Sequence, residues 1–171
     1  MNPFVVYSIP IQGLKTGIHA FRYELDGTFF DKFEDSPIGD CALQYEVQLD
    51  RRPDMLVLDF DLRGTIEAEC ARCTASIHLP VESQRQLIVK FGDAEGETED
   101  EVVFIHRETS EFNVAAYLYE FAVLSLPITN TYDCQSEEHP PCNFEVLAYL
   151  KNESSAGTNA IWDILKGQTE S

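Results

Sequence analysis

The fold is decided by the stretch CALQYEVQLDRRPDMLVLDFDLRGTIEAECARC, residues 41–73. Apolar and polar side chains alternate along it in two runs, which the turn-forming residues 51–54 separate. A period of two is typical of strands that bury one face and expose the other. The stretch therefore predicts two antiparallel strands, and the pair Arg63-Gly64 predicts a break or bulge in the second one.

The pattern continues on the C-terminal side of this stretch. Alternation resumes over residues 77–91, which extends the predicted meander. Apolar residues at helical spacing over 114–122, with Asn113 as N-cap and Pro127 beyond the end, predict one longer helix. Short amphipathic segments at 144–150 and 161–165 predict C-terminal helices. The fold class predicted is α+β, an antiparallel β meander or open barrel-like sheet with these helices.

The domain organisation follows from composition. Residues 1–151 contain no repeat and no low-complexity linker, which predicts a single β-rich α+β domain. Residues 152–159 are rich in Ser, Gly and Asn. We therefore expect residues 152–171 to form a flexible linker followed by a short terminal amphipathic helix.

The charge of the chain restricts its partners. It carries 12 Lys and Arg residues against 30 Asp and Glu residues, a formal charge of −18. A field of that sign repels phosphate backbones and attracts basic proteins. Neither a membrane-spanning run nor a secretory signal is visible, so we expect a cytoplasmic protein without a membrane partner. Cysteines in that reducing compartment are expected to be free thiols or metal ligands.

Four of the five cysteines form the main chemical candidate. Cys70 and Cys73 make a C-x-x-C at a turn between two predicted strands, and Cys134 and Cys142 follow the longer helix. Two thiolates at C-x-x-C spacing can point at one ion, and a tetrahedral structural zinc needs four ligands. The sequence therefore predicts a structural zinc site, with the ligands Cys70, Cys73, Cys134 and Cys142.

Other interpretations of these residues stay open. The thiols can be ordinary small residues of the core. His139 lies between Cys134 and Cys142 and can replace either of them as a ligand. Cys41 lies in a predicted strand outside any motif, and we expect it in the core.

A thiol redox function is the enzymatic alternative. It requires the first cysteine at a helix N-terminus, where backbone N–H groups lower the thiol pKa. The residues after Cys73 are strand-like and include Pro80, and the nearby Glu67 and Glu69 disfavour a thiolate. The sequence also contains no Gly-rich phosphate loop, no H-E-x-x-H and no G-x-S-x-G motif. We therefore expect a protein that is not an enzyme.

The segment IEAECARC, residues 66–73, resembles the signature of the bacterial YceD/DUF177 family, an apolar strand that runs into Cys-x-Arg-Cys. The predicted helix with Leu-Ser-Leu-Pro at 124–127, the later Cys134 and the terminal segment IWDILK at 161–166 are similar to the features that follow in that family. The resemblance makes Arg72 a characteristic residue of the family. Cys142 enters the ligand set only as the fourth ligand that zinc requires.

The resemblance implies a non-enzymatic ribosome-biogenesis factor that supports accumulation or processing of the large-subunit (23S) ribosomal RNA. Together with the acidic charge, it suggests large-subunit ribosomal proteins or a pre-ribosomal particle as partners, with contact to ribosomal RNA indirect. The alternatives are a zinc-stapled protein-interaction module without a direct ribosomal role, and the thiol redox protein.

Overall fold

The structure is a computed structural model that describes residues 3–92, 98–99, 102–134 and 137–155. The chain divides into two compact units. Unit 1 comprises Met1–Glu67 and His78–Ile128, and unit 2 comprises Ala68–Ile77 and Thr129–Ser171. The prediction of a single domain followed by a linker stays a prediction. The terminal helix predicted at 161–165 lies outside the described residues.

Strands are the main regular secondary structure of the described chain. The strands are β1 (Ser8–Pro10), β2 (Gly17–Asp26), β3 (Cys41–Arg51), β4 (Met55–Glu69), β5 (Ser76–Phe91), β6 (Thr98–Glu99), β7 (Val102–Ile105) and β8 (Glu111–Asn113). β1 and β8 pair antiparallel as a small separate sheet, and the others form a six-stranded sheet in the order β2-β3-β4-β5-β7-β6. A single 3-10 turn, Val5–Tyr7, precedes β1.

The predicted α+β class is confirmed, with an open sheet and few helices. β2, β3 and β4 pair antiparallel in chain order, as the alternation predicts. β7 pairs parallel with β5, so the sheet is mixed. The predicted buried face of β3 is also confirmed, because the apolar residues that alternate along it are at most 2% exposed; they are Leu43, Tyr45, Val47 and Leu49.

The break or bulge predicted at Arg63-Gly64 is wrong. β4 continues through both residues, and Gly64 pairs with Leu43 in an uninterrupted register. A Cβ atom built on Gly64 would lie 2.1 Å from the Ala42 carbonyl oxygen, and the φ angle of Gly64 is +157°. The glycine is therefore required for close approach of β3 and β4, and it does not end the strand.

Helix α2, which follows the short helix α1 (Gly27–Phe30), spans Ala115–Leu124 and packs on the buried face of the sheet. The Tyr45 hydroxyl donates a buried 2.8 Å hydrogen bond to the Leu118 carbonyl oxygen. The rings of Phe60 and Phe121 meet edge to face at 5.1 Å between centroids. These contacts confirm the predicted longer helix and fix its apolar side against the strands.

A side-chain oxygen accepts an N–H group of the first turn in both α-helices of unit 1. The carboxylate of Asp26 accepts the Thr28 N–H at 3.0 Å at the start of α1. The side-chain oxygen of Asn113 accepts the Ala115 N–H at 3.0 Å. The N-cap of α2 is Val114, which makes no side-chain capping hydrogen bond, so the prediction of Asn113 as N-cap is wrong by one residue. The Asn113 side chain still satisfies an N–H group that has no partner inside the helix.

Unit 2 contains helix α3, Phe144–Ser155. It confirms the helix predicted at 144–150 and continues into the residues for which composition predicts a linker. Apolar side chains on α3 face solvent, among them Phe144 and Tyr149, which are 60% and 64% exposed. None of the helices in the described part of the chain is long and apolar enough to cross a membrane.

Candidate functional site

The C-x-x-C of unit 2 forms a tight, hydrogen-bonded turn between β4 and β5. The N–H of Cys70 donates to the Ala75 carbonyl oxygen at 2.8 Å, and the Thr74 N–H donates to the Cys70 carbonyl oxygen at 2.9 Å. Thr74 adopts a positive φ of 56°. Glycine usually occupies this left-handed region because a Cβ is disfavoured there. In this turn, Thr74 thus occupies a backbone conformation that glycine usually adopts.

The thiol of Cys70 lies in an environment that favours its ionised form. Cys70 and Cys73 are 1% and 0% exposed. Burial by itself raises the pKa of Cys70, but the N–H groups of Arg72, Cys73 and Tyr132 and the Cys73 thiol lower the Cys70 pKa to about 7. Hydrogen bonds to a thiolate outweigh the cost of burying it here. Glu67 and Glu69, which were expected to disfavour a thiolate, therefore do not prevent the lowering of the Cys70 pKa.

The second pair of cysteines is oxidised in this structure. Cys134 and Cys142 form a disulfide with a Cα–Cα distance of 6.2 Å. The sulfur of Cys134 lies 3.6 Å from the Tyr132 carbonyl oxygen. The segment that leads into this pair contacts the C-x-x-C turn, because the Ala71 N–H donates to the Asn130 carbonyl oxygen at 2.7 Å.

The predicted zinc ligands therefore occupy one unit as two pairs in different chemical states. Cys70 and Cys73 are free thiols, whereas Cys134 and Cys142 are bonded to each other. In this oxidised form the described residues contain no group of three or more His, Cys, Asp or Glu side chains placed to hold a metal ion. The structural zinc site stays a prediction.

The remaining candidates differ in exposure. His139, the alternative ligand, is exposed, and so is Arg72, the residue suggested by the family resemblance. Cys41 is half-buried, and burial together with the nearby Asp26 and Asp40 raises its pKa to about 11. Cys41 is therefore an ordinary, un-ionised thiol at neutral pH, in contrast to Cys70.

Sequence patterns did not reveal the backbone contribution to the site. The Asn130 C=O and the Tyr132 N–H contact the C-x-x-C turn. Every residue type carries a backbone C=O, and every one except proline carries an N–H. The only sequence feature pointing to this segment is its place just before Cys134.

Unit 1 presents a second candidate, the solvent-facing surface of β2–β5, here called the polar face. It is formed by Arg22, Glu24, Gln44, Glu46, Gln48, Asp59, Asp61, Arg63, Gln84 and Gln86. Arg22 lies 3.6 Å from a Glu46 carboxylate oxygen and Arg63 lies 3.0 Å from Asp61. Gln84 donates to Asp61 at 2.9 Å. Both guanidinium groups thus lie among carboxylates, and the face does not form a basic stripe.

Comparison with known proteins identifies one family. A family model described as Large ribosomal RNA subunit accumulation protein YceD matches residues 58–166, more than half of the chain. The matched region contains the C-x-x-C turn, helices α2 and α3, and the Cys134–Cys142 pair. No curated protein and no solved structure shows significant similarity to the chain.

Proposed function

Because this chain belongs to the YceD family, we propose that it supports accumulation of the large-subunit ribosomal RNA as a non-enzymatic ribosome-biogenesis factor. The observation that carries the proposal is the family match over residues 58–166. The confirmed α+β fold is compatible with it, but a fold alone does not specify a function.

We propose that its direct partners are basic large-subunit ribosomal proteins or the pre-ribosomal particle that contains them. The charge of −18 attracts basic proteins and repels bare RNA. The polar face is compatible with this choice, because the carboxylates of Glu46 and Asp61 lie beside Arg22 and Arg63 and oppose the approach of phosphate groups. Contact with ribosomal RNA is then indirect.

Affinity capture at two salt concentrations tests the partner. Tagged protein should retain large-subunit ribosomal proteins at low salt and lose them at high salt, because attraction between exposed charges is screened. In a parallel assay, purified protein should bind naked large-subunit RNA weakly even at low salt. Tight RNA binding with a steep dependence on salt concentration contradicts the proposed partner, because it indicates direct neutralisation of phosphates.

A thiol redox function is the second candidate, and the lowered pKa of Cys70, about 7, favours it. Against it, Cys70 and Cys73 are almost completely buried, so a protein disulfide has little access to either sulfur. The reduced protein should therefore fail to reduce a model disulfide substrate at a rate above that of a Cys70→Ser variant. A clear rate that depends on Cys70 supports the redox function instead.

A further inference from the structure

The four cysteines of unit 2 are largely withdrawn from solvent. Cys70, Cys73 and Cys142 are 1%, 0% and 8% exposed, and Cys134 is half-buried. Buried thiols commonly pack as small apolar residues, so burial alone does not indicate a ligand. The backbone around these cysteines supplies the further evidence.

Amide donors converge on the sulfur of Cys70. The N–H groups of Arg72, Cys73 and Tyr132 all point at it. These hydrogen bonds fix the sulfur of Cys70 beside Tyr132. The left-handed conformation of Thr74 closes the turn that orients two of these donors.

Tyr132 connects the two cysteine pairs. Its N–H faces the sulfur of Cys70, and its carbonyl oxygen lies 3.6 Å from the sulfur of Cys134. Cys134 is in turn joined to Cys142. Tyr132 therefore lies next to both cysteine pairs. A structural zinc site likewise brings two pairs of ligands close to one ion.

We propose that, when the disulfide is reduced, this site binds one Zn²⁺ through four thiolates, those of Cys70, Cys73, Cys134 and Cys142. The disulfide is then the metal-free, oxidised state of the same site, because a disulfide sulfur carries no thiolate charge to bind the ion. This inference goes beyond the proposed function, since it concerns what holds unit 2 together.

The conversion between the two states is a two-electron reaction with a dithiol reductant. The reductant's two thiols supply two electrons and two protons, the Cys134–Cys142 bond breaks to give two thiols, and the reductant leaves as a disulfide. Zinc bound by the four sulfurs would displace the thiol protons to solvent.

The wild-type chain provides the first test. After reduction with a dithiol, removal of the dithiol without oxygen and addition of Zn²⁺, one zinc per chain should remain after desalting, as measured by elemental analysis. Zinc should also slow the reaction of the protein's thiols with a small thiol reagent, relative to the reduced, metal-free protein. With the disulfide intact, the affinity for zinc should fall by about a hundredfold or more, because two of the four ligands are lost.

Variants assign the ligands, with Co²⁺ as a spectroscopic substitute for zinc. Reduced wild-type protein should show the absorption of a tetrahedral cobalt–thiolate site. Cys73→Ser and Cys142→Ser should each weaken cobalt binding by about a hundredfold or more. Cys41→Ser is the matched control and should bind as the wild type does, and so should His139→Ala.

Three results overturn the proposal. The first is reduced wild-type protein that retains no zinc, and the second is a Cys142→Ser variant that binds cobalt as tightly as the wild type. The third is loss of binding in His139→Ala, which makes His139 the ligand in place of a cysteine. The zinc content and the thiol reactivity of the wild type do not depend on whether any variant folds.

Discussion

Gly64→Ala places a methyl group where β3 and β4 leave no space. The new Cβ would lie 2.1 Å from the Ala42 carbonyl oxygen and 2.9 Å from the Leu43 Cα, and both are backbone atoms of the neighbouring strand. Neither can move aside as a flexible side chain does, so the ladder between residues 41–51 and 56–66 has to shift. The positive φ of Gly64 adds backbone strain for any residue with a side chain.

The expected loss in the free energy of unfolding is about 2–6 kcal/mol. Overpacking of a well-packed site costs about 1–3 kcal/mol, and a disfavoured backbone conformation costs about 1–3 kcal/mol more. Since a typical domain is stable by about 5–15 kcal/mol, the variant should unfold at clearly lower urea concentration. Urea titration followed by circular dichroism measures the change.

Gly39→Ala is the matched control for this substitution. Nothing lies within 4 Å of a Cβ built on Gly39, so this variant should change stability by no more than about 1 kcal/mol, in the stabilising direction where the backbone suits alanine. A Gly64→Ala variant that loses less than about 1 kcal/mol refutes the explanation of Gly64 as a residue required for close strand approach.

Three further predictions concern single side chains. Tyr45→Phe should lower the free energy of unfolding by about 1–2 kcal/mol in urea titration, because it removes a buried hydrogen bond to a backbone carbonyl of α2; an unchanged midpoint contradicts this. Thr74 and Asp35 both have a positive φ, so replacing either by glycine should raise the melting temperature. The gain should be smaller for Asp35→Gly, because aspartate tolerates the left-handed region better than a β-branched residue. Equal gains in melting temperature contradict this. In metal-free protein, thiolate absorbance should show Cys70 ionising near pH 7 and Cys41 near pH 11. Folding depresses the Cys70 pKa below its ordinary value of 9.0. The ionised thiol therefore adds to the free energy of unfolding in full above pH 9, and this contribution is lost as the pH falls through 7. A free energy of unfolding with the same pH dependence in the wild type and in Cys70→Ser contradicts this.

Strands β3, β4 and β5 were predictable because each buries one face, and this leaves a period of two in the sequence. The role of Gly64 was not predictable. A glycine inside a strand can mark a bulge or a close approach of two strands, and only the distance across the strands distinguishes the two. The parallel pairing of β7 with β5 was also not predictable. A short apolar run such as Val102–Ile105 has the same pattern in either direction.

The candidate site was predictable in its residues but not in its chemical state. C-x-x-C spacing identifies Cys70 and Cys73 as a pair, and the position of Cys134 and Cys142 after α2 suggests a second pair. Whether two sulfurs form a disulfide or share an ion depends on reduction and on metal supply, which sequence does not encode. The lowered pKa of Cys70 depends on backbone N–H groups of a particular turn conformation, and residue types do not reveal these.

The most direct test of the proposed function is the ratio of large-subunit to small-subunit ribosomal RNA after controlled depletion of the protein. The ratio should fall before growth slows, large-subunit precursors should change in the same samples, and expression of the wild-type chain should restore both. A ratio and a precursor profile that stay unchanged when the protein is gone contradict the proposed function, and favour a protein-interaction module without a direct ribosomal role.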